Sequence, residues 1–133
     1  MSGSRWTFAM VAALSLGAGC SDEPTSGAEQ PGAVILRLTT PHADDGALVF
    51  TVSGPPIDSA AAANASLLLF TRRTGGSTLV GVVVGAVANG AVVTLQVPDV
   101  RVAAAYTARV TEAADRENAL RPSLAGYALT VSP

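Results

Sequence analysis

The dipeptide Asn89-Gly90 lies inside a long uncharged stretch and constrains the fold more than any other feature of the sequence. The stretch, Thr74–Pro98, has 25 residues without a charged side chain. Its length suits a transmembrane helix, and Gly81 and Gly85 have the Gly-x-x-x-Gly spacing of closely packed membrane helices. Its five glycines and many valines favour strands instead. Because Asn and Gly both tolerate positive φ, Asn89-Gly90 between two apolar runs predicts a β-hairpin in the middle of the core.

Alternating apolar and polar positions recur along the rest of the chain, in short runs bounded by turn residues. In Ala47–Ser53, for example, Leu48, Phe50 and Val52 share one face. The predicted strands are Ala33–Thr40, Ala47–Ser53, Ser66–Arg73, Val82–Ala88, Ala91–Val97, Val102–Ala113 and Leu124–Val131. About seven strands without a long helix predict an all-β fold over residues 33–133, an antiparallel β-sandwich of the jelly-roll or Ig-like kind.

In three segments the sequence pattern alone does not decide between strand, helix and loop. Ile57–Ser66 is rich in alanine and is predicted to form at most one short helical turn, which Asp58 or Ser59 can cap. Asp115–Pro122 is predicted to be a polar loop or a single helical turn. Val102–Ala113 has enough alanine for a helix, but its Thr and Val content favours a strand.

The first twenty residues have the pattern of a secretory signal. Met1–Arg5 carries one positive charge, Trp6–Leu16 is uncharged over eleven residues, and three small residues precede the single cysteine, Cys20. A basic start, an apolar core and a small-residue cleavage region are typical of a signal peptide. The apolar core is too short to cross a bilayer, which takes about 20 residues. Residues 1–19 are therefore predicted to be a signal peptide.

The end of this segment, LSLGAGC, resembles a bacterial lipobox, where a peptidase cleaves just before a cysteine that carries a diacylglyceryl group. The usual Leu three residues before the cysteine is replaced by Gly17, and Leu16 lies one position further back. The resemblance implies cleavage between Gly19 and Cys20 and lipidation of Cys20. A free thiol in an oxidising compartment is a liability, which also favours lipidation. The alternative is an ordinary secreted protein cleaved near Ala18 or Gly19.

The residues after Cys20 read SDEPTSGAEQPG and contain no large apolar side chain. Such a segment cannot bury enough surface to fold, so residues 20–32 are predicted to carry the lipid and form a disordered tether of about 40 Å when extended. In lipoproteins of Gram-negative bacteria, Asp directly after the cysteine tends to retain the protein at the inner membrane. Ser21 occupies that position here, and the resemblance implies a lipid-anchored protein of the cell envelope, at the outer membrane where one exists.

Three runs of the predicted domain resemble the sandwiches of cohesins and carbohydrate-binding modules. They are Ala47–Pro55 (ALVFTVSGP), Gly90–Val97 (GAVVTLQV) and the closing Leu124–Val131 (LAGYALTV). Cohesin-like domains open with a strand pair that contains an aliphatic run like the first and end with a glycine-containing strand like the last. The resemblance implies binding or assembly rather than catalysis, and it identifies no individual binding residue.

Candidate catalytic and metal-binding residues lie in the predicted loops. His42 is the only histidine and precedes Asp44 by two residues, a pair that can act as general base and orienting carboxylate. No serine lies in a G-x-S-x-G motif, and turn chemistry explains both residues, so we expect no enzyme, no catalytic residue and no cofactor. Asp115–Asn118 is the oxygen-rich segment closest to a calcium loop, but it lacks EF-hand spacing and no metal site is assigned.

Composition narrows the possible partners. A net charge of −2 argues against nucleic acid, and a single cysteine excludes an intramolecular disulfide. Sugar-binding sandwiches usually need exposed aromatic platforms, whereas Phe50, Phe70, Tyr106 and Tyr127 are all predicted to face the core. The sequence therefore favours a membrane-anchored envelope lipoprotein whose sandwich binds a protein partner or supports assembly. The alternative is a glycan- or calcium-binding module on the cell surface.

Overall fold

Eight strands run through residues 28–133, the part of the chain that the computed structural model describes. They are β1 (Gly32–Thr39), β2 (Asp45–Ser53), β3 (Ser59–Ala62), β4 (Leu67–Arg73), β5 (Thr78–Val87), β6 (Gly90–Val97), β7 (Thr107–Asp115) and β8 (Ala128–Ser132). Two antiparallel four-stranded sheets pack together, in the orders β3-β6-β1-β8 and β4-β5-β2-β7. The predicted β-sandwich is confirmed. The predicted signal peptide, Cys20 and the cleavage position after Gly19 lie outside the described residues.

The core forms where inward side chains of the two sheets meet. On β2, Leu48, Phe50 and Val52 have no exposed surface, which follows from the period of two along a strand. Each such side chain stabilises the fold by roughly 1.5–3 kcal/mol. Gly81 on β5 lies directly against the Phe50 ring, and a Cβ there would overlap the ring atoms. A glycine at this position lets β5 pass beneath the largest of the completely buried side chains.

The predicted hairpin at Asn89-Gly90 is wrong, although both flanking strands are present. β5 pairs with β2 and β4, whereas β6 pairs with β1 and β3, so the chain crosses from one sheet to the other here. A type I′ hairpin turn needs positive φ at both central residues, and of these two only Gly90 has it, at 117°. The Asn89 side chain instead accepts a hydrogen bond from the Thr40 backbone N–H at 2.7 Å. That bond ties the crossing to the end of β1.

The transmembrane alternative for residues 74–98 does not hold, because these residues form β5 and β6 of the sandwich. Within residues 28–133, no helix has the length and apolar character required to cross a membrane.

The alanine-rich segment after β2 is a strand rather than the predicted helical turn. Ser59–Ala62 forms β3 and pairs with β6, with Ala61 opposite Thr94. Ile57 just before it is buried in the core and fixes the segment against the sandwich. The ladder and this buried contact override the helix propensity of the alanines, as tertiary context commonly does.

Two predicted strands begin too early. Val100–Ala105 is a 3₁₀-helix, and Asp99 caps it by accepting a hydrogen bond from the Arg101 backbone N–H at 3.0 Å. The strand β7 therefore starts only at Thr107. The last strand starts at Ala128, because a turn closed by a hydrogen bond from the Tyr127 N–H to the Leu124 carbonyl precedes it.

The two ends of the sandwich differ in what they carry. The Gln30 carbonyl accepts a hydrogen bond from the Val100 N–H at 2.9 Å, which attaches the N-terminal segment to one end, here called the tether end. Arg73 lies at the same end, because its guanidinium donates to the Ile57 carbonyl. The β1–β2 loop and the loop after β7 meet at the opposite end, here called the far end, where Asp45 pairs with Asp115.

Candidate functional site

A polar network surrounds Asp45 at the far end. Asp45 begins β2, and its side chain is completely buried. One carboxylate oxygen accepts from the Thr40 hydroxyl at 2.6 Å. The other accepts from the Tyr127 hydroxyl at 2.8 Å and from two N–H groups of Arg121 at 3.0 and 2.8 Å. The buried charge is therefore paired and fully hydrogen-bonded, and the network joins β1, β2 and the segment before β8.

The network keeps Asp45 ionised. Burial raises the pKa of Asp45, but the hydrogen bonds from Thr40, Arg121 and Tyr127 together outweigh burial, so the pKa lies below its ordinary value. The hydrogen bond to Asp45 raises the pKa of Arg121. Burial raises the pKa of the Tyr127 hydroxyl. The charges of the network are consequently constant through the neutral pH range, as suits a structural tie.

His42 and Asp44 lie beside this network with different partners. The Asp44 carboxylate accepts from Arg121 at 2.7 Å, and this bond lowers the pKa of Asp44. The His42 ring packs against the Tyr127 ring at a centroid distance of 5.9 Å. Within residues 28–133, no hydrogen bond joins the His42 and Asp44 side chains, so the geometry is not that of a base held by an orienting carboxylate.

Three carboxylates meet at the far end. Asp44, Asp115 and Glu117 each place an oxygen within 4.8 Å of the others. One oxygen of Asp115 accepts from the backbone N–H groups of Glu117 and Ala119, both at 2.9 Å, and closes the loop after β7. One oxygen of Asp44 is bonded to Arg121. Calcium takes six to eight oxygen ligands, among them backbone carbonyls and waters, so these three carboxylates would supply only part of such a site.

The outer face of the second sheet carries an apolar surface. Leu68 and Phe70 on β4 are 62% and 63% exposed, and they lie opposite Val84 and Val82 on the neighbouring strand β5. These four residues are here called the β4 face. Val84 is itself 38% exposed. Large apolar side chains grouped in this way on a surface are typical of an interaction site.

The prediction that Phe70 faces the core is wrong. Phe50 and Tyr106 are buried as predicted, and Tyr127 is half-buried against the core. The reason is visible in the run Leu67–Phe70, which is apolar at every position and therefore gives β4 two apolar faces. Leu67 is in the core, whereas Phe70 lies on the opposite face of the strand.

Towards the tether end the same sheet face becomes polar. Ser53 on β2 pairs with Thr78 on one side and Thr107 on the other. Together with Thr51 and Arg109 these side chains line a shallow groove. The outer face is therefore apolar at Leu68, Phe70 and their neighbours on β5, and hydroxyl-rich at the tether end of β5, β2 and β7. The groove at the tether end has no aromatic platform for a sugar ring.

Neither the family models nor the curated proteins nor the solved structures include one that matches this chain. Its function is accordingly argued from its surfaces. The sequence pattern missed the ion pair of Asp45 with Arg121, which joins residues 76 positions apart. The sequence does contain one indication of the exposed face, which is the run of four consecutive apolar residues in β4.

Proposed function

We propose that this chain is a lipid-anchored protein of the cell envelope whose β-sandwich binds a protein partner through the β4 face. The single observation that carries the binding role is the exposure of Leu68 and Phe70, both above 60%, on a regular strand. Because about three fifths of each residue is still exposed, burying both side chains in an interface contributes roughly 1–2 kcal/mol each. The resemblance of three sequence runs to cohesin-like assembly domains favours the same role.

The N-terminal pattern supports the anchor. A signal segment, the lipobox-like LSLGAGC and a polar segment before Gly32 are the parts that a lipoprotein needs. The N-terminal segment joins the sandwich at the tether end, where Gln30 is bonded to Val100. Leu68 lies near the opposite end of β4 from Arg73, so the β4 face extends from the middle of the strand towards the far end of the sandwich.

A glycan is the second candidate ligand, because the exposed Phe70 ring is an aromatic surface of the kind that sugar-binding sandwiches use. Its neighbours on the sheet face decide between the two. Leu68, Val82 and Val84 surround the ring with aliphatic groups, whereas a sugar site needs polar groups placed to fix the hydroxyls. The chemistry of the β4 face therefore favours a protein.

Two variants of equal exposure test the binding role. Phe70→Ser removes the main side chain of the β4 face, and Leu120→Ser removes an apolar side chain that is 67% exposed but lies in the loop after β7. We expect a photo-cross-linked protein partner to be recovered from membranes with wild type and Leu120→Ser and lost with Phe70→Ser. Equal recovery with both variants contradicts the proposal, and binding of glycans with no protein partner favours the second candidate.

The anchor has a separate test in Cys20→Ala. We expect the wild-type chain to show an acyl mass increment and to sediment with membranes, and the variant to lose both properties. A wild type without the increment, or a variant that stays with membranes, contradicts the anchor.

A further inference from the structure

The four edge strands of the described sandwich differ in how well they are protected against pairing. β3 has only four residues, and β8 has five. β7 carries Arg109 and Glu112, and its register with β2 shifts twice. β4 has seven residues, is uncharged over Leu67–Thr71 and pairs with β5 without a register shift. Short length, charge and bulges are what proteins use to prevent edge pairing, and among the described edges the middle of β4 has none of them.

Both ends of β4 are held in place by hydrogen bonds, and β3 of the other sheet approaches it. The Leu67 N–H donates to the Asn64 carbonyl at 3.3 Å, and the Arg73 guanidinium donates to the carbonyls of Ile57 and Asp58. Within residues 28–133, β5 is the strand that pairs with β4, and the sheet ends at β4 on the other side. A rigid, regular edge of this kind is a template for one more extended strand.

We infer that the occupant of this edge is β4 of a second copy of this chain, paired antiparallel about Leu69. In this register, Leu68 lies beside Phe70 of the second copy, and the same contact recurs across the two-fold axis. The two β4 faces then join into one apolar surface. Such a contact between identical strands is self-complementary, as a two-fold interface requires.

The charges of β4 favour the antiparallel direction. Arg72 and Arg73 follow directly after the uncharged run. A parallel pair would place these arginines beside those of the second copy, and like charges on neighbouring strands are destabilising. The antiparallel pair places Arg72 opposite Ser66 of the second copy and separates the two arginine clusters to opposite ends of the contact.

A contact of one strand from each copy is small beside the roughly 1,200–2,000 Å² that stable complexes bury. The pairing therefore depends on holding the copies together on one membrane, which raises their effective concentration. In this respect the inference rests on the proposed function, since it needs the anchor, and it names a second copy as the protein that pairs along the edge of β4 beside the β4 face.

The test places a photo-cross-linking side chain at the edge of β4 in the full chain in its own membrane. The chain has eight arginines and no lysine, so amine-reactive reagents have little to label, and Thr71→p-benzoyl-phenylalanine is used instead. The same substitution at Thr107, an exposed threonine on the opposite edge strand β7, is the matched control. We expect an adduct of twice the mass of the chain from position 71 and none from position 107.

Three further changes, each combined with the probe at position 71, test the contact itself. Phe70→Lys is expected to reduce the yield of the doubled adduct at least about tenfold, because it places a charge on each side of the apolar contact. Leu120→Lys is expected to leave the yield unchanged. Leu68→Glu/Phe70→Lys is expected to restore the yield, because opposite charges then face each other across the two copies. A double variant that stays at the level of Phe70→Lys contradicts the antiparallel register.

The outcomes separate this inference from the proposed function. No doubled adduct from the probe at position 71 in the otherwise unchanged chain, or an equal doubled adduct from both probe positions, overturns pairing through a second copy. An adduct between the chain and a different protein contradicts the inference that a second copy occupies the edge, and it leaves the binding role of the β4 face in place. A wild-type chain without the acyl increment, together with a doubled adduct from position 71, overturns the proposed anchor and the dependence of the pairing on it, and retains the pairing itself.

Discussion

Removing the Asp45 carboxylate gives the largest single effect that we predict on stability. Asp45→Ala leaves the Thr40 and Tyr127 hydroxyls without their acceptor and leaves Arg121, whose side chain is only 13% exposed, with Asp44 as its remaining carboxylate. Removing one partner of a buried ion pair typically costs about 3–5 kcal/mol. Set against a total of about 5–15 kcal/mol for a domain, this is a large fraction of the free energy of unfolding.

Urea unfolding of the full chain at neutral pH, followed by far-UV circular dichroism, measures this effect. We expect Asp45→Ala to lower the free energy of unfolding by about 3–5 kcal/mol. In a thermal melt, the melting temperature of the variant should be lower by about 12 °C or more. Asp58→Ala is the matched control, because Asp58 is exposed and its contact with Arg73 uses the backbone carbonyl. The control is expected to change stability by less than about 0.5 kcal/mol. Equal, small losses for the two variants would refute the view that the Asp45 network holds the far end together.

Three further predictions follow from the same structure. Because the folded-state pKa of Asp45 is lowered, the contribution of its charge to stability is present above the ordinary pKa of 3.8 and is lost as pH falls through the folded-state pKa. The difference in unfolding free energy between wild type and Asp45→Asn, measured by urea unfolding, should therefore be constant from pH 5 to 8 and decrease below about pH 4. Gly81→Ala should destabilise the fold by about 1–3 kcal/mol, measured by urea unfolding, because the added methyl group overlaps the Phe50 ring in a closed core. Asn89→Ala should cost about 1 kcal/mol in the same assay, through loss of the 2.7 Å hydrogen bond from the Thr40 N–H.

Strand positions could be predicted from the sequence, because a half-buried strand shows its period directly. Leu48, Phe50 and Val52 alternate with half-buried residues, and the strand that they form was predicted within two residues of its observed start. Sheet pairing was not accessible in the same way. Asn89-Gly90 fits a hairpin turn and a crossing between sheets equally well, and the hydrogen bond from Thr40 that distinguishes the crossing comes from 49 residues away.

The candidate site was less accessible than the strands, again because its contacts are distant in sequence. The exposure of Phe70 depends on which side of β4 the second sheet packs, and in a run that is apolar throughout, the pattern does not choose a side. Asp45 lies in a polar loop sequence, and its burial follows from the position of Arg121 at the end of another loop. Local patterns predict elements, whereas the network and the β4 face are products of the assembled sandwich.

Hydrogen exchange at β4, compared between the chain in its native membrane and the purified chain diluted in detergent, measures whether β4 is occupied in the membrane. Amide exchange reports whether an edge strand is paired, segment by segment. If the β4 face is a binding surface of a membrane-anchored protein, the amides of Leu67–Thr71 exchange much more slowly in the membrane than in detergent, while those of Thr107–Thr111 on the opposite edge are unchanged. Equal exchange of Leu67–Thr71 in the two states would contradict the account.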